Sequence, residues 1–385
     1  MKHLEREMKK ILILTNYPEV HVLSDRGRFF AKELNDFANV TLICRDFHNV
    51  GKIKNLINNI IIISKIRPDL IYTIDGLTNE VAAFLAKVVY GTRYIVDTAA
   101  DMMDGFRLEK KLFINLPVLV LFRIILKKAD YLVCRGIIQK IIFESRALNK
   151  NIIHISEGVN LDNWYVKQDR DLKNNNNITE ESLVIGVIGS VVWCPAKKWA
   201  YGVEIIEVLK RLRGSSVYGI ILPSITSDDE TIDDLEKIAK DAGVDKNLRI
   251  IRNINRYDVP DYLAVMDICI STQIPNIIGE MRTTAKIPEY MACGKFIIAT
   301  NVGDARIYLK QEMLMEYINP DTYYDDLAKK VSEILDNRKI LKLGEECLEI
   351  AHKNFDIKKL SQKCSIIVKE VLSKDNFICH QKLSQ

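Results

Sequence analysis

Short apolar runs alternate twice along this chain with segments of helical spacing, and that double alternation narrows the fold more than any other feature. The first run, Ile11-Leu12-Ile13-Leu14, is apolar at every position, as expected of a strand covered on both faces of a parallel sheet. It stops at Thr15-Asn16-Tyr17-Pro18, a loop signal. Between Asp25 and Leu34, residues Phe29, Phe30 and Leu34 follow helical spacing. The pattern predicts further strands over 40–44, 69–73, 93–96, 131–134 and 152–155, with helices over 60–66 and 79–90. A polar run containing KNNNN, inside 169–179, reads as a boundary. The alternation restarts at Leu183, with strands over 183–189, 218–222, 248–251 and 267–271 and helices over about 199–213 and 231–242. From Tyr324 onward the chain reads as charged helix. This is an α/β pattern of two doubly wound parallel sheets in tandem. The expected organisation is a first domain over 1–168, a linker over 169–182 and a second domain over 183–355. A helical tail over 356–385 would then return towards the first domain. Binding in such sheets sits beyond the carboxyl ends of the strands, so two domains facing each other would frame a cleft.

Bulk properties exclude several classes. A chain of 385 residues exceeds one ordinary core, and 48% hydrophobic with 28% charged residues is a globular composition. A net charge of +4 is too small to argue for nucleic acid. The eight cysteines and six histidines are dispersed, with no C-x-x-C pair and no metal-ligand spacing. The simplest account is a reduced, cytoplasmic chain without structural zinc. The opening MKHLEREMKK is charged and lacks the apolar core of a signal peptide. No run reaches the roughly 18 apolar residues of a membrane-spanning helix.

Chemistry concentrates in residues 279–304, GEMRTTAKIPEYMACGKFIIATNVGD. The stretch reads as a loop carrying Glu280, Arg282 and Lys286, a short helix around Pro288, a break at Cys293-Gly294 and a buried strand. Gly294 can end the helix in a left-handed conformation. Lys286 and Glu289 lie three apart and share a helical face. One cation for a phosphate and one carboxylate for a pair of sugar hydroxyls suit a nucleotide; an ordinary αβ unit with a solvated charged face would look the same. Earlier, Gly186-Val187-Ile188-Gly189-Ser190 runs a strand into a glycine turn, with Lys197 and Lys198 at the head of the next helix. Lysines beside a close-approach glycine can neutralise a diphosphate, or can simply be solvated around a tight turn.

Taken together, these segments resemble the retaining GT-B glycosyltransferases that share an E-x7-E signature. The matching residues are Gly189-Ser190 with Lys197/Lys198, Met266 to Ser271, Lys286 to Lys295 with its E-Y-M-A-C-G-K, and Ile298-Ala299-Thr300. Ser156-Glu157-Gly158-Val159-Asn160 is similar to the family's P-N-G-V-D turn. The resemblance implies two Rossmann-like domains, the first for acceptor and the second for donor. It implies that Glu289 holds the donor ribose, and that Arg252, Asn253 and Ile254 wall the nucleobase. The donor diphosphate falls to Lys197 or Lys198; the family's arginine after the glycine is Ser190 here, so Arg282 or Lys286 would supply the missing charge. The first signature glutamate is a departure: the spacing lands on Met281, and Glu280, the candidate catalytic carboxylate, is one residue out of register. On the acceptor side the candidates are His21, in a loop with Glu19, Asp25 and Arg26, and Asp75, Asp97 and Asp101 at strand ends. His21 would serve acid/base chemistry or be polar surface. Ala99 stands where the family often has a histidine.

The resemblance thus implies a hexosyltransferase-type enzyme of polysaccharide biosynthesis. It would move a sugar from a nucleotide-sugar donor to a glycan or lipid-linked hydroxyl acceptor with retention, without cofactor or metal. A catalytically weak homologue that binds nucleotide or a partner transferase is one alternative, and a nucleotide-sugar epimerase another. Residues 110–128 are strongly apolar with basic ends, which fits either a helix packed on the sheet or peripheral contact with an anionic membrane at its cytoplasmic face.

Overall fold

A computed structural model of the protein describes residues 8–45, 51–99, 101–108, 115–167, 173, 178–193 and 200–382. The chain forms two compact units, one of Met1–Gly158, Met281–Thr283 and Ile357–Gln385, the other of Val159–Glu280 and Thr284–Asp356. The division falls at Gly158–Val159, earlier than the polar run suggests. Val159 and Trp164 are the reason: both are buried in the apolar core of the second unit.

Six parallel strands of the first unit are β1 (Lys10–Thr15), β2 (Asn39–Cys44), β3 (Leu70–Ile74), β4 (Arg93–Thr98), β5 (Tyr131–Cys134) and β6 (Ile152–His154). Their order is β2-β1-β3-β4-β5-β6. Ile11 to Leu14 are fully buried, as their uninterrupted apolarity requires. Connections from β2 to β3, β3 to β4 and β4 to β5 run one way across the sheet, and β1 to β2 runs the other. Right-handed crossovers therefore put helices Lys52–Ile66, Leu77–Tyr90 and Leu116–Lys128 on one face and Val22–Leu34 on the other. The long helix Ile357–Lys382 lies against Val22–Leu34, and its Ile357, Leu360, Cys364, Ile367, Val368 and Val371 complete that core.

The second unit holds β7 (Leu183–Gly189), β8 (Val217–Pro223), β9 (Leu248–Ile250), β10 (Ile268–Ser271), β11 (Phe296–Thr300) and β12 (Leu314–Met315). All pair in parallel, in the order β12-β11-β10-β7-β8-β9. Counted from β7, this is the doubly wound order whose ligand crevice opens where the winding reverses, beyond the carboxyl ends of β7 and β10. Tyr290 pins the next helix, Lys286–Ala292, over that point. Its fully buried hydroxyl accepts from the Ile188 amide at 3.1 Å and donates to the Ile270 carbonyl at 3.4 Å, bridging the two strands. Gly294 (φ 65°) ends the helix, with its amide bonded to the Met291 carbonyl at 3.0 Å.

Among the described residues, no helix is long and apolar enough to cross a membrane, and no group of three His, Cys, Asp or Glu is placed to hold a metal ion.

Candidate functional site

β7 ends at Gly189, whose φ of 117° is open to glycine at little cost and strained for other residues. A Cβ there would lie 2.9 Å from Lys286 Cε and 3.0 Å from its Nζ. The missing side chain is therefore the space that the lysine occupies. Lys286 begins its helix and is 8% exposed; its ammonium sits 3.5 Å from the centre of the Tyr201 ring. Gln273, just past β10, donates its Nε2 to the Tyr201 hydroxyl at 2.7 Å, while its own amide donates to Thr300 Oγ1 at 2.7 Å. Loops after β7 and β10 thus hold one cation against the glycine turn.

A carboxylate lies beneath it. Glu204 opens the Val203–Arg211 helix, is fully buried, and accepts from the Gly202 amide at 3.0 Å through Oε2, leaving Oε1 without a hydrogen-bond partner. Burial raises its carboxyl from 4.5 to about 7, against the opposing pull of backbone amides and of the Lys286 charge. Thr272 beside it exchanges a 2.9 Å hydrogen bond with Tyr323.

Glu289, on the same helix as Lys286, is 4% exposed and accepts from Arg256 Nη2 at 2.6 Å. Arg256 is itself held over the Trp164 ring, 5.2 Å from its centre. The other donor candidates are spread more widely. Ser190 donates to the Thr226 carbonyl at 3.1 Å, which fastens the turn. Arg252 points to the Asp229–Asp241 helix and pairs there with Asp233 and Glu236 at 2.6 and 2.7 Å, so its charge is already committed. Asn253 has a left-handed backbone (φ 58°) and Ile254 packs on the core. Arg282 is exposed. Lys197 and Lys198 lie outside the described residues.

Glu280 is committed as well. Both its oxygens meet Arg306 Nη2, at 2.7 and 2.9 Å, and Oε2 accepts from the Gly303 amide at 3.0 Å. These bonds make it the anchor of the turn after β11 rather than an available catalytic carboxylate. Met281, where the family spacing falls, is 1% exposed.

In the first unit the structure gathers charge at the carboxyl ends of its strands. Asp97 is fully buried between Arg26 Nε and Arg135 Nε, both at 2.8 Å, with the Tyr72 hydroxyl at 2.9 Å; the two guanidiniums lower its carboxyl against a strong desolvation. Asp101 is sealed by Arg123 and Arg146 at 3.1 and 2.7 Å. Both carboxylates are thus taken up in buried ion pairs. Asp75 is more accessible: its side chain is 19% exposed and pairs with Arg135 at 2.9 Å, its φ is 47°, and burial raises its carboxyl. His21 caps the Val22–Leu34 helix, with Nδ1 accepting from the Leu23 amide at 3.2 Å and the ring stacked on Tyr17. That nitrogen is spent on the cap, which argues against an acid/base role through it.

Reading the sequence alone missed Tyr201, Glu204, Arg256 and Gln273. Only Glu204 left a signal, a carboxylate in register with the buried Val208 of an otherwise amphipathic helix.

No curated protein matches the chain. Residues 182–337 match the sequence profile of glycosyl transferases group 1, and so cover β7 through the Pro320–Asp336 helix. The structure is similar to the Anabaena protein HepE in complex with UDP and glucose, at 16% identity and TM-score 0.73, covering 94% of this chain and 100% of that one. It is also similar to sucrose-phosphate synthase from Thermosynechococcus elongatus (14%, 0.74, covering 95% and 100%). An E. coli trehalose-6-phosphate protein bound with UDP-2-fluoro glucose gives 11% and 0.67, covering 94% and 99%. With its two doubly wound units, the chain has the GT-B fold, and the match to the glycosyl transferases group 1 profile lies almost wholly within its second unit.

Proposed function

We propose that the protein is a hexosyltransferase that moves a sugar from a uridine-diphosphate donor to a hydroxyl acceptor, a glycan or lipid-linked glycan, with retention. The observation that carries this reading is the Lys286 ammonium, held over Gly189 where the second sheet reverses its winding, one helical turn from Glu289. A nucleoside diphosphate placed at that reversal sets its phosphates against Lys286, which stabilises the charge that develops as the diphosphate leaves. Glu289 then accepts from the two ribose hydroxyls in charge-assisted bonds, sharing its carboxylate with Arg256 or exchanging it. The choice of uridine rests on the ligands of the HepE and E. coli relatives. No residue of the site requires a metal.

A second reading has its own support. Glu280 is held by Arg306 and Gly303, and Ser190 stands where the resemblance places an arginine, so a protein that binds nucleotide without turnover also fits.

Two measurements separate these. Thermal shifts with UDP, GDP, ADP and TDP should show stabilisation by UDP first, because a ligand bound to the native state raises apparent stability. Release of UDP from UDP-hexose in the presence of acceptor should then follow. Tight UDP binding with no turnover of any UDP-hexose would favour the second reading, and no nucleotide binding at all would sink both.

A further inference from the structure

The helix Lys52–Ile66 is turned inside out. Its buried positions are Asn55, Asn59 and Ile63, while Ile53, Ile57, Ile60 and Ile61 are 77, 52, 39 and 45% exposed. The inward asparagines are satisfied: Asn55 donates to Asn16 Oδ1 at 2.7 Å and Thr78 Oγ1 at 2.9 Å, and Asn59 donates to Asn79 Oδ1 at 2.8 Å. An apolar stripe at i, i+4, i+7 and i+8 normally faces a core. Here it faces outward, and it is not alone.

The next two helices on that face of the first sheet continue it. Leu77–Tyr90 packs against Lys52–Ile66 and exposes Leu85, Val88 and Val89 at 39, 66 and 65%. Leu116–Lys128 packs against Leu77–Tyr90 and exposes Leu116, Val120, Leu121 and Ile124 at 37 to 52%. Monomeric soluble proteins rarely present so many large apolar side chains on adjoining elements.

Charge around this face has one sign. Lys52, Lys54 and Lys65 are exposed on the first of these helices and Lys127 and Lys128 on the last, and Arg67 follows the first. Glu80 is their one carboxylate among the described residues; it is 2% exposed, and burial raises it to about 8. The nearby Asp130 is paired with Lys87 at 2.9 Å. A second copy of the chain docked here through two-fold symmetry would set these cations against one another. An anionic bilayer offers both an apolar interior for the isoleucines and valines and phosphates for the lysines.

We propose that the face formed by helices Lys52–Ile66, Leu77–Tyr90 and Leu116–Lys128 docks on the surface of an anionic lipid membrane. The inference goes beyond the donor reading and does not depend on it. Membrane contact would also bring the first unit to a lipid-linked acceptor.

The full-length protein tests this by co-sedimentation with phosphatidylcholine vesicles containing phosphatidylglycerol, against phosphatidylcholine alone. Binding is expected to the anionic vesicles only, weakening as salt is added. The double variant Ile57→Glu/Val88→Glu should reduce partitioning by about tenfold. Ile366→Glu, at an exposed position of the Ile357–Lys382 helix, should leave it unchanged. Should the double variant melt early, Lys52→Glu/Lys54→Glu provides the same reading from the charges. Absence of binding to anionic vesicles by the wild-type chain overturns the proposal, as do variants that bind like wild type. A wild-type dimer that the double variant converts to monomer, without vesicle binding, assigns the face to a second copy instead. UDP-induced stabilisation, followed in parallel, reports separately on the donor site.

Discussion

The ammonium of Lys286 lies 3.5 Å from the centre of the Tyr201 ring and fills the space that a side chain on Gly189 would take. A lysine desolvated to this degree is held by the ring's negative face. It is thus presented to the carboxyl ends of β7 and β10 without the mobility of a surface lysine.

Lys286→Met should therefore remove the cation while keeping most of the packing. We expect UDP binding to weaken by about 1.5–3 kcal/mol, the range for hydrogen bonds to charged groups. Isothermal titration with UDP checks this. An affinity within twofold of wild type would refute the placement of the diphosphate.

Glu289→Ala should weaken UDP by roughly 1–3 kcal/mol through loss of the ribose acceptor. A comparison with 2′,3′-dideoxy-UDP adds specificity: the variant should no longer distinguish it from UDP. If discrimination persists, the ribose is held elsewhere.

Glu204 makes stability depend on pH in a stated direction. Its carboxyl is raised from 4.5 to about 7 in the folded protein, so the native state holds the proton over that window and the unfolded state does not. Its contribution is fully present below pH 4.5 and is lost as pH rises through about 7. Glu204→Gln should flatten this part of the profile and stabilise the protein by up to about 3 kcal/mol above it. Urea melts across pH measure the difference. A parallel offset between variant and wild type, with no change of slope, would mean that Glu204 does not titrate in this window.

Asp97 carries the opposite sign. Arg26 and Arg135 lower its carboxyl, so its contribution is present at neutral pH and is lost as pH falls below the ordinary carboxylate range. Asp97→Asn leaves two buried guanidiniums facing a neutral amide and should cost about 3–5 kcal/mol. The variant should lose melting temperature in the first unit while UDP affinity is retained. Loss of UDP affinity without destabilisation would contradict the structural role.

Some of this was legible in residue order. The run Ile11–Leu14 and its counterpart from Leu183 to Gly189 read as buried parallel strands, because a fully covered strand has no polar face to show. Lys286 and Glu289 stood out because a three-residue spacing is short enough to decide which side chains share a helix face. Arg252 and Glu280 show the limit of that reasoning. Each has the right charge near the right loop, yet Asp233 and Glu236 take the first and Arg306 takes the second. Those partners lie well apart in the chain, and only the packing of the sheet brings them within reach. Helix Lys52–Ile66 is the plainest case: only its end, over 60–66, was legible as helix, and the asparagine network with Asn16, Thr78 and Asn79 decides that its isoleucines face outward.

Within 279–304 the helix at Pro288, the left-handed break at Gly294 and the buried strand were recognisable from order alone, since proline placement and apolar runs are local effects. The loop expected to carry Glu280 and Lys286 was not: Glu280 lies in a short helix, Ile277–Met281, and Lys286 already begins the next one. What tertiary structure decided is which charges of this stretch are available. Pairing β7 with β10 places Gly189 against Lys286 and Tyr201 beside it, and Glu280 is bound to the turn after β11, because an ion's role depends on the partners within a few ångströms and the sequence does not record that distance.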